Sequence, residues 1–194
     1  MLRKVVFFVI LCILSSSALW SQQDQSTINF VGISAQVYPA GFIATGNLEH
    51  FMSDRESLVV RLGFNFTDRK DFSEVNDTEE GGGFGGSFGY RYHFPTGKGA
   101  FIAGLNVDIW YLDIDWTDSA RETIDSPLTI FEGSSTVLVL QPWLEGGYFL
   151  PLKNSNSRLG LTLGFGREIN VFTDGDEVAQ GFIGSISFQY LLRI

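Results

Sequence analysis

Cysteine is almost absent from this chain: Cys12 is the only one in 194 residues, which excludes an internal disulfide framework. Lysine is scarce too, limited to Lys4, Lys70, Lys98 and Lys153. Basic residues number 13 against 22 acidic ones, and a formal net charge of -9 makes a poor partner for nucleic acid. No apolar run reaches the roughly 20 residues that a membrane-spanning helix needs. Solenoid repeats and coiled-coil heptads are missing as well. What the chain has instead is 22 glycines and 18 phenylalanines, in a length that suits one domain.

Arg3 and Lys4 precede the apolar core VVFFVILCIL (Val5–Leu14), and SSSALWSQ follows with small residues. That is the layout of an export signal, cleaved after Ala18 or Ser21. The apolar core is too short to stay in a bilayer as an anchor. Residues 1–21 are therefore read as a signal peptide and 22–194 as one β domain. Cleavage removes Cys12, so thiol catalysis is excluded from the mature chain.

From there the chain alternates with a period of two. GGSFGYRYHFPTG (Gly85–Gly97) sets Phe88, Tyr90, Tyr92 and Phe94 on one parity and Ser87, Gly89, Arg91 and His93 on the other. Eight such strands are predicted, at 28–37, 41–52, 57–67, 82–94, 100–112, 135–150, 158–171 and 180–193. Each has the 9–11 residues or more of a tilted membrane strand. In the sixth, Pro142 and the parity of Trp143 predict a bulge. SDRES, PTGKG and PLKNSNS are tight links, as is YPAG after strand one. The connections Asp68–Gly81, Asp113–Ser134 and Phe172–Ala179 are longer and polar.

Which face is wet separates a soluble barrel, such as a secreted lipocalin-like or avidin-like one, from a membrane barrel. Three features favour lipid outside. Lys70, Lys98 and Lys153 all fall in loops or turns. The polar parity is rich in Gly, Ser and Thr, which suit a narrow lumen better than a solvent face. Aromatics gather near the strand ends, with Tyr92, Phe94, Phe101, Tyr148, Phe149 and Tyr190 at one rim and Trp110, Tyr111 and Trp116 towards the other.

On these residues the chain resembles the small eight-stranded outer-membrane barrel proteins, the transmembrane domain of outer-membrane protein A and its relatives of the OmpX and OmpW types. The last strand, GFIGSISFQYLLRI, is like their C-terminal assembly signal, although it ends in Ile194 rather than Phe. The resemblance implies an all-β, eight-stranded antiparallel up-and-down transmembrane β-barrel in the bacterial outer membrane, with both chain ends in the periplasm and outer-membrane lipid as partner.

The lumenal parity carries Glu49, Arg61, Arg91, His93, Asp108, Glu145 and Glu168. If the turn is centred near Arg55, Glu49 and Arg61 face each other across neighbouring strands. A buried charge needs a partner, and Arg can meet a carboxylate with two parallel bonds. Such pairs serve either as a gate or as a static polar core. Of the 22 acidic residues, 15 lie in the three long connections. DIDWTD and DGDE there offer oxygens to divalent cations such as Ca²⁺, though neither has EF-hand spacing and solvated loops explain them as well. No motif calls for a cofactor or a resident metal. His50 and Ser53 are the residue types that a lipid A-modifying enzyme would use. A structural or surface-interaction role is expected, ahead of a narrow porin or solute carrier and ahead of an enzyme.

Overall fold

The structure is a computed structural model that describes residues 28–70, 75–120, 127–153 and 156–194, without the Lys70 side chain. The segment assigned to the export signal lies outside the described residues. Among the described residues, alternating apolar and polar side chains give nine strands: β1 (Asn29–Tyr38), β2 (Gly41–Phe51), β3 (Glu56–Lys70), β4 (Thr78–Thr96), β5 (Gly99–Ala120), β6 (Thr129–Pro151), β7 (Ser157–Arg167), β8 (Ile169–Asp174) and β9 (Phe182–Arg193). All pairings are antiparallel. Consecutive strands pair from β1 to β7, β7 pairs with β9, and β9 returns to β1 through Phe30↔Arg193 to Val37↔Ile186. The sheet is thus a closed ring, which leaves few backbone groups without a ladder partner.

The expected eight strands become nine because the seventh is broken. β7 pairs with Trp143–Pro151 of β6, and β8 continues along the same strand at Thr136–Leu140, with a register shift between Leu138 and Val139. Glu168 sits at the break. Its N–H leaves the ladder to reach Gly181 O at 2.7 Å, and its side chain turns inward. The bulge expected at Pro142 is not there: β5 and β6 run in register through Val107↔Pro142 and Asn106↔Trp143. Gln141, Trp143 and Glu145 all point inward, and Trp143 fits because Gly164 and Gly166 face it from β7.

The long connections are also shorter than expected. β5 and β6 stay paired to Ala120↔Thr129, and β3 and β4 to Lys70↔Thr78, so much of the polar sequence read as loop is ladder. The ring therefore has a tight-turn end and an extended end.

Burial is inverted relative to a water-soluble domain. Among the described residues, 36 large hydrophobic side chains are exposed while 15 hydrophobic residues are buried. The interior instead holds Arg, Glu, Asn, Gln, Ser and Thr, with an apolar cluster near each end. Tyr38, Ile43, Trp110, Leu112, Ile114, Val137, Val139 and Val178 fill the extended end; Ile102, Phe149 and Leu191 fill the tight-turn end. No helix of the described residues is long and apolar enough to cross a membrane, a test that leaves strands untouched.

Candidate functional site

Glu49, near the end of β2, is the hub of the interior. One carboxylate receives Ser57 Oγ at 2.7 Å, His93 Nε2 at 3.1 Å, Arg91 Nη1 at 3.2 Å and, at closer range, Arg158 Nη2. Arg91 reaches Glu49 with Nη1 and grips Glu145 with Nε and Nη2, both at 2.8 Å, and its Nη2 also donates to Gln189 Oε1. Gln189 returns a bond to Glu145 Oε1 at 3.1 Å. Six strands, β2, β3, β4, β6, β7 and β9, are tied at one level. Each charge has a partner of the opposite sign, as burial requires.

Arg61 does not meet Glu49. β2 and β3 pair Asn47↔Arg61 and Glu49↔Val59, because the turn closes with Met52 N–H and Ser53 N–H both on Glu56 O. The centre therefore falls at position 54 instead of 55, which shifts the partner by two residues. Arg61 donates instead to Ser87 Oγ and Asn106 Oδ1, each at 3.0 Å, approaches Asp108 at 3.9 Å and lies over the Trp143 ring at 4.7 Å. Trp143 Nε1 donates to Asp108 Oδ1 at 2.8 Å, which completes a second layer.

A third layer lies towards the extended end. Arg69 binds Glu79 at 2.9 Å and also Glu168, while Gln141 Nε2 donates to Glu168 Oε2 at 2.7 Å. Glu79 also accepts from Asn76 Nδ2 at 2.9 Å and Ala179 N–H at 3.0 Å.

Glu49, Arg61, Arg91, His93, Asp108, Glu145 and Glu168 are all buried, and they fall in three layers. Sequence reasoning missed Arg158, Arg69 and Glu79. Each continues the inward parity of its strand: Arg158 precedes Gly160 and Thr162, Arg69 follows Asn65 and Thr67, and Glu79 falls in line with Ser87 and Arg91. Trp110 and Phe149 were expected at the rims and instead lie inside on that same parity. Trp116 likewise turns inward, with Nε1 donating to Ser135 Oγ at 3.2 Å, whereas Tyr111, Phe94 and Phe101 stay outside.

Phe149 helps bar the tight-turn end. The Arg158 guanidinium is 3.9 Å from the Phe30 ring centre, 4.5 Å from that of Phe149 and 5.3 Å from that of Phe51. Such cation–ring contacts strengthen as water is excluded.

His50 and Ser53 are engaged separately: His50 Nδ1 lies 2.7 Å from Asn29 Oδ1, and Ser53 Oγ donates to Glu56 Oε2 at 3.1 Å. The DIDWTD carboxylates stand on a strand, with Asp113 and Asp115 on its outer face and Asp118 on the opposite parity. Among the described residues no group of three His, Cys, Asp or Glu could hold a metal ion. Asp71, Glu74, Glu122 and Asp125 of the acidic connections lie outside the described residues.

No protein-family model matches the chain, and no curated protein matches it. Among solved structures, Neisserial surface protein A (NspA) is similar with a TM-score of 0.53 at 9% identity, over 89% of this chain and 100% of that one. The N-terminal β-barrel domain of Pseudomonas aeruginosa OprF gives 0.42 at 12% identity, over 88% of this chain and 100% of that one. The first likeness concerns the fold alone, an all-β ring.

Proposed function

We propose that the chain is an integral outer-membrane β-barrel protein with a structural or surface-interaction role rather than a catalytic one. By this reading eight staves span the bilayer, β7 and β8 in series making the seventh, and the chain is exported through a cleaved N-terminal signal. The observation that carries it is the inversion: Leu62 at 67%, Leu163 at 60% and Phe188 at 61% exposure stand on a continuous outer apolar face, around a charged interior. Water would oppose that face at about 25 cal/mol per Å², and hydrocarbon would welcome it. Neisserial surface protein A supports the fold.

The three layers support a closed lumen over an open pore. An eight-stave interior is just wide enough for side chains, and here Arg158 among three phenylalanines and Arg61 over Trp143 occupy it. The experiment is fractionation of cells expressing the full chain. Recovery with outer membranes, in a form whose gel mobility changes on heating, is expected. Recovery in the soluble periplasmic fraction overturns the reading. In planar bilayers no steady single-channel current is expected, and a sustained one would favour a narrow porin.

A further inference from the structure

At the extended end the ring wall is incomplete. β7 pairs with β9 only as far as Arg167↔Phe182, and β8 beyond it pairs with β6 alone. β1 ends at Tyr38 and pairs with β9 only up to Val37↔Ile186, so the start of β9, from Phe182, has no partner on β1. Segment 175–181 folds into the space. Its Val178 and Ala179 are buried. Four successive carbonyls are held by the wall: Asp176 O by Ser135 Oγ at 2.9 Å, Glu177 O by Asn76 Nδ2 at 3.2 Å, Val178 O by Asn170 Nδ2 at 2.8 Å and Ala179 O by Arg69 Nη1 at 2.6 Å.

The crevice measures about 500 Å³ and lies between this segment and the β1–β2 turn. Small-molecule sites run from roughly 300 to 1,000 Å³. Pro39, Ala40, Phe182 and Ile183 contribute apolar lining; buried Arg69 and Glu168 form the floor and exposed Glu177 the rim. The floor is not neutral. Arg69 is shared between Glu79 and Glu168, one cation against two carboxylates, and Glu177 adds a third. Both terminal nitrogens of Arg69 are occupied, by Glu79, Ala179 O and Glu168. Glu168 accepts from Arg69 and Gln141, which uses two of about four lone-pair sites on a carboxylate. With one guanidinium against three carboxylates, the floor and rim offer acceptor capacity with excess negative charge.

We propose that this crevice binds a small organic monocation with an apolar body, its ammonium or guanidinium donating to Glu168 and its body lying between Phe182–Ile183 and Pro39–Ala40. 4-Phenylbutylamine and 4-phenylbutyrate share one body and differ in charge, so they make probe and control. Calorimetric titration of the protein in zwitterionic detergent should show the amine saturating one site, about tenfold tighter than the acid or better, as a charge-assisted hydrogen bond provides. Glu168→Gln should lose about tenfold in amine affinity, and Glu177→Gln, at the exposed rim, should lose a smaller factor without risk to folding. Equal affinity for amine and acid, absence of saturable binding, or unchanged amine affinity in both variants would overturn the proposal. None of these readouts depends on where the protein resides in the cell, so their failure leaves the outer-membrane reading standing, and the reverse also holds.

Discussion

Leu62 and Phe149 show what single positions do in this inverted molecule. Leu62 points outward in the middle of β3, between cross-strand partners Gly46 and Gly86, and is 67% exposed. A leucine so placed in water could become arginine at little cost. On a lipid face at the bilayer midplane the same change costs about 2–4 kcal/mol. Leu62→Arg is therefore expected to lower unfolding stability by that amount in lipid vesicles, while Leu62→Phe stays near the parent. Equal stability of both variants in a urea titration would count against the membrane face. Phe149 lies inside, across Gly160 of the neighbouring strand: a Cβ on Gly160 would come within 2.3 Å of the ring. Trp143 uses Gly164 and Gly166 in the same way. Several inward glycines are seats for aromatic rings. Gly160→Ala should displace Phe149 and cost about 1–3 kcal/mol as an overpacked interior does. Gly97→Ala, in a turn with open space around it, is the control and should cost nothing measurable.

Between elements, energy is concentrated where strands remote in sequence share one carboxylate. Glu49 on β2 gathers Ser57 from β3, Arg91 and His93 from β4 and Arg158 from β7. Neutralising it takes from Arg158 its carboxylate partner in a buried site, while Arg91 keeps Glu145, and such a loss costs about 3–5 kcal/mol where the interior is dry. Glu49→Gln and Arg158→Gln should each destabilise more than their combination implies, so a double-mutant cycle should return strong coupling. The matching cycle of Glu49 with Arg61 should return a smaller coupling, since the two side chains belong to different layers. A larger coupling for Arg61 than for Arg158 would contradict the observed register. The seven interior residues were legible from parity because a strand sends alternate side chains to opposite faces whatever its neighbours do. Their partners were not. A turn centred one position earlier moves every cross-strand partner by two, and the Met52–Glu56 turn does so here.

At the scale of the whole molecule, ring closure and the unequal ends define an orientation. The extended end carries the β3–β4, β5–β6 and β8–β9 connections, and the tight-turn end carries both described termini. In an outer membrane the longer connections face outward. An epitope inserted next to Asn76 is then expected to stain on intact cells, and one next to Lys98 only after permeabilisation. The opposite pattern would invert the orientation.

By itself the sequence determined the all-β architecture, the identity of the inward and outward faces and the approximate place of most strands. Those properties follow from side-chain alternation and need no knowledge of distant residues. Strand ends were less legible: Asp113–Ala120 and Thr129–Ser134 read as polar loop, yet backbone pairing continues through them because an established ladder propagates in register regardless of polarity. Only the tertiary structure decided which charges meet, that Trp110 and Phe149 fill the interior rather than girdle it, and that the seventh strand breaks at Glu168. Those outcomes depend on register and on the width of a closed ring, which bring together residues as far apart as Glu49 and Arg158 or Arg69 and Glu168. No local pattern in the chain encodes such distances, because they are set by closure of the ring as a whole.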